Sequence, residues 1–240
     1  MRSLVIDIGN TGSKYGVFEN ETLLAHGSFG NQAPVPQELE NQVFDHALVA
    51  SVAAGDTKHL QAGLSVSGQF LELSAQTALP VSNLYKTPET LGADRKAGAV
   101  GAHYFFQGRN CLVIDAGTCI TYDFLDSQGQ YHGGGISPGL QMKYKALHTF
   151  TGRLPLVQHI CPEFSLIGQT TQESIISGVL AGTVAEVNGI IENYSQKAPD
   201  LVVIVCGGDA AFFESNLKGR IFVIPELVLI GLQRILAYNV

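Results

Sequence analysis

The sequence is poor in basic residues: 14 Lys and Arg stand against 21 Asp and Glu, a formal charge of -7. That balance argues against a nonspecific nucleic-acid binder, which would carry a basic face. Any anionic substrate must then be met by a few placed cations. Cysteine is also scarce, and Cys111, Cys119, Cys161 and Cys206 show no C-x-x-C spacing. Met1-Arg2-Ser3 leads straight into a short apolar run with nothing resembling a signal peptide, so a reducing cytoplasm is the expected setting. Long hydrophobic runs are missing too. The most apolar stretch, 221–238, is interrupted by Pro225, Glu226, Gln233 and Arg234, and no membrane span is expected. Neither G-x-x-x-x-G-K-[ST] nor G-x-G-x-x-G occurs, which removes the P-loop and dinucleotide fingerprints. His132 reads as a hairpin residue, because no other His, Cys or carboxylate lies at zinc-site spacing from it.

What is present is a repeat. Leu4-Val5-Ile6-Asp7-Ile8-Gly9-Asn10-Thr11-Gly12-Ser13-Lys14 reads as a buried strand that delivers a carboxylate and turns through small polar residues. Leu112-Val113-Ile114-Asp115-Ala116-Gly117-Thr118 repeats the apolar triplet, aspartate, spacer and glycine at a constant offset of 108. With 240 residues, 45% of them hydrophobic, the chain can build two compact halves. Gln107-Gly108-Arg109-Asn110 is the polar, turn-rich boundary, giving halves of 1–110 and 111–240. Such a turn suits polyphosphate and its metal ion: N–H groups and hydroxyls hold oxygens, and the carboxylate binds Mg²⁺ directly or through water. Two copies suggest a duplicated fold whose halves face one cleft. The plainer reading of each aspartate is a turn residue.

Along the first half, Tyr15-Gly16-Val17-Phe18 continues from the turn as a strand and Glu19-Asn20-Glu21 makes a hairpin into Thr22-Leu23-Leu24-Ala25. Lys14, where that strand begins, can reach back towards phosphates on the turn. Residues 37–44 read as helical, 47–52 as a buried strand followed by the turn Ala53-Ala54-Gly55-Asp56, 69–73 as a further strand, and 79–85 as an extended connection. A helix over about 93–106 follows, with Gly98 and Gly101 permitting a close neighbour. Asp94 and Arg95 fall in its first turn. Asp94 there is either a capping residue or a carboxylate kept ionised by the helix dipole to accept a proton, with Arg95 clamping a substrate anion.

In the second half, Thr121-Tyr122-Asp123-Phe124-Leu125 returns from the Asp115 turn, and Asp126-Ser127-Gln128-Gly129 makes the next hairpin. Tyr131-His132-Gly133-Gly134-Gly135-Ile136-Ser137-Pro138-Gly139-Leu140 lets backbone approach a ligand closely and starts a helix over 142–150. An S/T-x-x-E-like start then precedes a long amphipathic helix over 174–194 with small residues Gly178, Ala181, Gly182 and Ala185. Residues 201–206 form a buried strand that breaks at Gly207-Gly208, where a flat ring could lie on backbone. A structural helix closes the chain after Pro225. Taken alone, these residues define an ATP-using transferase or ATPase with a two-lobed α/β fold.

The D-I-G-N-T run with Lys14 beyond it, Gly92-Ala93-Asp94-Arg95, the D-A-G-T turn and Gly133-Gly134-Gly135-Ile136-Ser137-Pro138-Gly139 together resemble the motifs of type III pantothenate kinases. These belong to the superfamily of acetate and sugar kinases, heat-shock chaperones and actin. The resemblance implies two actin-like, ribonuclease H-like lobes around a nucleotide cleft and ATP-dependent phosphorylation of pantothenate, the first step towards coenzyme A. It makes Asp94 the catalytic base. It assigns ATP to Asp7, Ile8, Gly9, Asn10, Thr11, Gly12, Ser13, Lys14 and Thr118. Substrate contacts fall to Tyr85, Gly92, Ala93, Asp94, Arg95 and Thr171. Asp115 would hold a monovalent cation, K⁺ or NH₄⁺, and Asp7 would position Mg²⁺ through water. At the start of the long helix the family has G-x-N-T, whereas Thr170 replaces the asparagine here and leaves open whether Thr170 or Thr171 makes the substrate contact. The resemblance also implies a homodimer, with no nucleic acid or membrane partner. Two other readings remain at this stage: a kinase acting on a different small acid or sugar, and a catalytically silent nucleotide-sensing regulator.

Overall fold

The computed structural model describes residues 1–31, 33–51, 57–158 and 163–240. They group into two compact units, Met1–Gly108 with Leu125–His132 and Glu226–Val240, and Arg109–Phe124 with Gly133–Pro225. The expected turn Ala53-Ala54-Gly55-Asp56, the end of its strand at Val52, and Cys161 lie outside the described residues.

The first unit runs β1 (Arg2–Ile8), β2 (Ser13–Glu19), β3 (Thr22–Phe29), α1 (Gln37–Glu40), β4 (Val43–Phe44), β5 (His46–Ser51), α2 (Lys58–Gly63), β6 (Ser65–Val66), β7 (Phe70–Glu72), β8 (Ser82–Asn83) and α3 (Ala93–Phe105). Its sheet has the order β3-β2-β1-β5-β7. β1 pairs antiparallel with β2 and parallel with β5. A central strand covered on both faces needs a continuous apolar run, and Leu4, Val5 and Ile6 are all fully buried. Asn20 takes φ 54° in the hairpin between β2 and β3, a conformation that asparagine tolerates better than most residues. The helix expected over 37–44 is only one turn long. Asn41 ends it, and Phe44 is fully buried in the core while β4 pairs with β6, so side-chain burial outweighs helix propensity here.

The second unit holds β9 (Cys111–Ala116), β10 (Cys119–Leu125), β11 (Gln130–Pro138), α4 (Leu140–Thr149), α5 (Thr171–Lys197), β12 (Val202–Cys206), α6 (Ala210–Asn216) and β13 (Phe222–Val223), with the tip of the β10–β11 hairpin counted in the first unit. Its strands follow the order β13-β12-β9-β10-β11, and Gln130 and Tyr131 at the start of β11 pair with β8. Replacing β1, β2, β3, β5 and β7 by β9, β10, β11, β12 and β13 converts one sheet order into the other. The parallel pairs match as well, β1 with β5 and β9 with β12, β5 with β7 and β12 with β13. The repeat seen as seven residues in the sequence therefore extends to a whole sheet topology.

α5 starts on a capping box. Thr170 Oγ1 accepts from Glu173 N–H at 3.2 Å, and Glu173 Oε2 accepts from Gln169 N–H at 2.8 Å. By length and composition this 27-residue helix could cross a membrane, yet Ile175, Val179, Leu180 and Val187 place one face in the core of the second unit.

The last helix, α7 (Leu227–Asn239), belongs by packing with the first unit, whereas a single break near residue 110 groups it with the second half. Glycine explains its place. A Cβ on Gly231 would sit 1.8 Å from the Ala97 carbonyl oxygen, and one on Gly101 2.6 Å from that of Leu227, so α3 and α7 meet backbone against backbone. Gln233 Nε2 adds a bond to the Asn20 carbonyl at 2.7 Å. Gly231→Ala is expected to overpack this contact and lower the unfolding free energy by about 3 kcal/mol, measured by urea denaturation; unchanged stability would show that α3 and α7 can separate freely.

Candidate active site

In the first unit the β1–β2 register sets Asp7 opposite Lys14 and Ile8 opposite Ser13. Directly opposed residues share a face of the sheet, so the carboxylate and the exposed ammonium emerge side by side at the start of the turn. Gly9 N–H donates to Gly12 O at 3.1 Å and closes the turn, leaving Asn10 and Thr11 exposed. Ser13 differs from its neighbours: it is 1% exposed, and its hydroxyl donates to Asn31 Oδ1 at 2.8 Å. Asn31 Nδ2 in turn donates to the Gly9 carbonyl at 2.7 Å. The sequence reading did not include Asn31, which lies beyond β3 and carries no motif of its own.

Gly92 is the N-cap of α3 and supplies no side-chain cap. The half-buried Asp94 fills that role in part, accepting Arg95 N–H on Oδ1 at 2.8 Å. Any side chain at Gly92 would meet this carboxylate, since its Cβ would lie 2.4 Å from Asp94 Oδ1; the glycine of G-A-D-R keeps the space Asp94 occupies. Ala93 is buried. Arg95, 6% exposed, has its guanidinium carbon 5.7 Å from the centre of the Tyr85 ring, and Tyr85 packs on Tyr131 at 6.3 Å. Tyr85 thus lies against the G-A-D-R turn through Arg95. Lys96, also overlooked in the sequence, is a second buried cation in this turn and donates to Ser74 O at 3.2 Å. Burial pushes its ammonium below the usual lysine range, while Glu89 opposes the shift.

In the second unit glycines shape the other acidic turn. A Cβ at Gly139 would lie 2.1 Å from Gly117 O and 2.6 Å from Thr118 O, and one at Gly134 would fall 1.6 Å from Tyr122 O. Gly139 N–H donates to Thr118 O at 3.1 Å. Gly207, with φ 91°, lies against Asp115, and a Cβ there would be 2.3 Å from Asp115 Oδ1 and 2.4 Å from Ala116 O. Gly139 and Gly207 therefore both pack on the Asp115 turn, while Gly134 packs on the strand that follows it. Asp209 is fastened there too, its N–H on Ala116 O at 2.9 Å, and burial raises its carboxyl above the usual range. Carboxylate, carbonyl and hydroxyl oxygens are the donors a hard cation takes. Among the described residues no three His, Cys, Asp or Glu converge as a metal site.

The capping bond takes up Thr170, while Thr171 is the first residue of α5, exposed, on the rim of a cavity of about 780 Å³ between α4 and α5. Lys143, on the same rim, donates to Glu186 Oε2 at 2.6 Å and Thr183 Oγ1 at 2.9 Å, and Tyr122 Oη donates to Glu186 Oε1 at 3.1 Å. Burial works to raise the Glu186 carboxyl, but the bonds from Lys143, Ser137 and Tyr122 hold it below the usual glutamate range.

Two topologically matched sheets, each opening on a strand, an aspartate and a tight small-residue turn, define a phosphotransferase-type fold of the actin and sugar kinase class. The solved structures agree on the fold. A Baf family protein from Campylobacter jejuni matches with TM-score 0.64 at 23% identity, covering 98% of both chains. The inorganic polyphosphate/ATP-glucomannokinase of Arthrobacter sp. strain KM matches with TM-score 0.52 at 16% identity, covering 100% of this chain and 99% of that one. At the level of sequence the family model for type III pantothenate kinase matches residues 3–193. Type III pantothenate kinases of Bacteroides fragilis (strain YCH46) and Cytophaga hutchinsonii are 46% and 42% identical, over 99% of this chain and 98% and 100% of theirs. The chain belongs to the type III pantothenate kinase family.

Because the folded Glu186 pKa is depressed, its contribution to stability is present above the unfolded carboxylate value, about 4.3, and is lost as pH falls through the folded value. Glu186→Gln is expected to lose about 1–3 kcal/mol at pH 7 and to flatten the acid limb of stability below about pH 5, followed by urea titration across pH. An acid limb as steep as that of the wild type would remove Glu186 from this linkage.

Proposed function

We infer that this chain catalyses ATP-dependent phosphorylation of the primary hydroxyl of pantothenate, giving 4'-phosphopantothenate and ADP in the first step of coenzyme A biosynthesis. The observation that carries this reading is full-length similarity to type III pantothenate kinases at 46% identity, in a chain that retains Asp7, Asp94, Arg95 and Asp115.

The residue roles follow from chemistry. Asp94, freed of any side chain at Gly92, takes the proton as the substrate oxygen bonds to the γ-phosphorus and the bond to the ADP oxygen breaks. Arg95, backed by Tyr85, binds the pantothenate carboxylate, and the backbone at Gly92 and Ala93 shapes the acceptor site. Ile8, Gly9, Asn10, Thr11, Gly12, Ser13, Lys14 and Thr118 form the phosphate-holding set: exposed Asn10, Thr11 and Lys14 offer donors, and Ser13 acts through the turn it braces. Asp7 suits Mg²⁺ held through water, and the Asp115 turn suits K⁺ or NH₄⁺. Cations held there would neutralise charge on the phosphates. Positioning and charge neutralisation then supply most of the acceleration.

The reading extends to a homodimer in the cytoplasm. A Cβ at Gly178 or Gly182 would meet nothing within 4 Å, and Phe150 on the same cavity is 86% exposed. A second copy covering α4 and α5 would bury this apolar face and bring Thr171 to the partner's acceptor site. Among the described residues Cys111, Cys119 and Cys206 are thiols and not disulfides, which fits a reducing compartment.

Asp94→Asn is expected to keep nucleotide binding and to lose about 10²–10⁴ in kcat, read by coupled ADP release with pantothenate in the presence of Mg²⁺ and K⁺. Full turnover in that variant, or wild-type ADP release that does not depend on pantothenate, would overturn the assignment.

A further inference from the structure

We propose that Asn31 is a positioning residue for the nucleotide, setting the conformation of the 9–13 turn without itself touching phosphate; the proposal rests on the kinase reading above. Its side chain bonds to both ends of the turn, Gly9 O and the Ser13 hydroxyl, and so adds to the Gly9 to Gly12 backbone bond that closes it. A backbone carbonyl can only accept, so the Asn31 amide nitrogen must face Gly9 O, at 2.7 Å, which leaves Oδ1 for the Ser13 hydroxyl at 2.8 Å. One amide therefore ties the first residue of the turn to the last. Asn31 itself is set by a local turn in which Ala33 N–H donates to Gly30 O at 2.9 Å.

The consequence for an anion lies in the peptide joining Gly9 to Asn10. In a planar trans peptide the C=O and N–H point in opposite directions. Holding Gly9 O on Asn31 directs the Asn10 N–H to the other side of that peptide and prevents the flip that would turn a carbonyl oxygen towards phosphate. Ser13 is the second anchor. With 1% exposure its hydroxyl is withheld from any ligand, and its bond to Asn31 fixes the point where β2 begins, next to Lys14. Aspartate at position 31 would keep the acceptor for Ser13 but lose the donor to Gly9 and add negative charge beside the phosphate turn. Alanine would remove both bonds without adding charge. The two substitutions separate geometry from charge.

The test compares the wild type with Asn31→Ala, Asn31→Asp and Ser13→Ala in the full chain. The Kd for a non-hydrolysable ATP analogue with Mg²⁺ is measured by calorimetry, and KM for ATP and for pantothenate by ADP release. Asn31→Ala is expected to raise the analogue Kd and the ATP KM about tenfold with pantothenate KM unchanged. Asn31→Asp should raise both further, and Ser13→Ala, which keeps the Gly9 bond, should raise them less. A general loss of folded protein would lower the maximal rate and the calorimetric stoichiometry and leave both KM values unchanged. The near-isosteric Asn31→Asp provides the measurement if the alanine variant does not fold. Unchanged analogue Kd in Asn31→Ala or Asn31→Asp, or equal rises in both KM values, would overturn the proposal and leave the kinase assignment standing. Weakened analogue binding in the variants of a wild type that releases no ADP with pantothenate would instead defeat the kinase assignment and leave the clamp in place.

Discussion

Backbone meeting backbone around the Asp115 turn is the constraint on which the candidate site of the second unit depends. Tyr122, Gly117 and Thr118 present carbonyl oxygens at positions where Gly134 and Gly139 would otherwise carry a Cβ, and Gly207 leaves the same space for Asp115. No flexible side chain can yield there, because most of the opposing atoms are main-chain. The turn that carries the carboxylate is consequently fixed by main-chain packing, and a rigid donor set is what a phosphate or cation site needs.

The two acidic turns have reached similar forms by different means. The Asp7 turn is closed by a Gly9 to Gly12 bond and braced by a side chain, Asn31. The Asp115 turn is braced by main chain from β11 and from the residues after β12. The strand order around both turns is the same, and each turn has its own support. The head of α3 belongs to neither copy's turn. It contributes a carboxylate in the first turn of the helix and a buried guanidinium over the Tyr85 ring.

Much of this was legible in the residues themselves. The apolar triplets before Asp7 and Asp115 marked the central strands, and the constant offset between them marked the duplication that the sheet orders bear out. Asp94 and Arg95 were found because G-A-D-R is compact and local. Asn31 was not, since its partners Gly9 and Ser13 are brought to it by the β2–β3 hairpin and nothing in its neighbours announces the contact. Lys96 and Asp209 escaped for a related reason: their burial comes from packing, not from spacing. The short α1 was misread as a longer helix because Phe44 fits a helical pattern until the core claims it. The place of α7 with the first unit was hidden as well, since Gly231 gains its meaning only when Ala97 lies opposite.

We propose that Asp7 serves the nucleotide through Mg²⁺ and Asp115 through a monovalent cation. Calorimetric titration of a Mg²⁺-bound, non-hydrolysable ATP analogue into wild type, Asp7→Asn and Asp115→Asn, each with and without K⁺, tests it most directly. The account requires weaker binding in both variants and loss of the K⁺ effect in Asp115→Asn alone. Wild-type affinity together with a preserved K⁺ response in Asp115→Asn would contradict it.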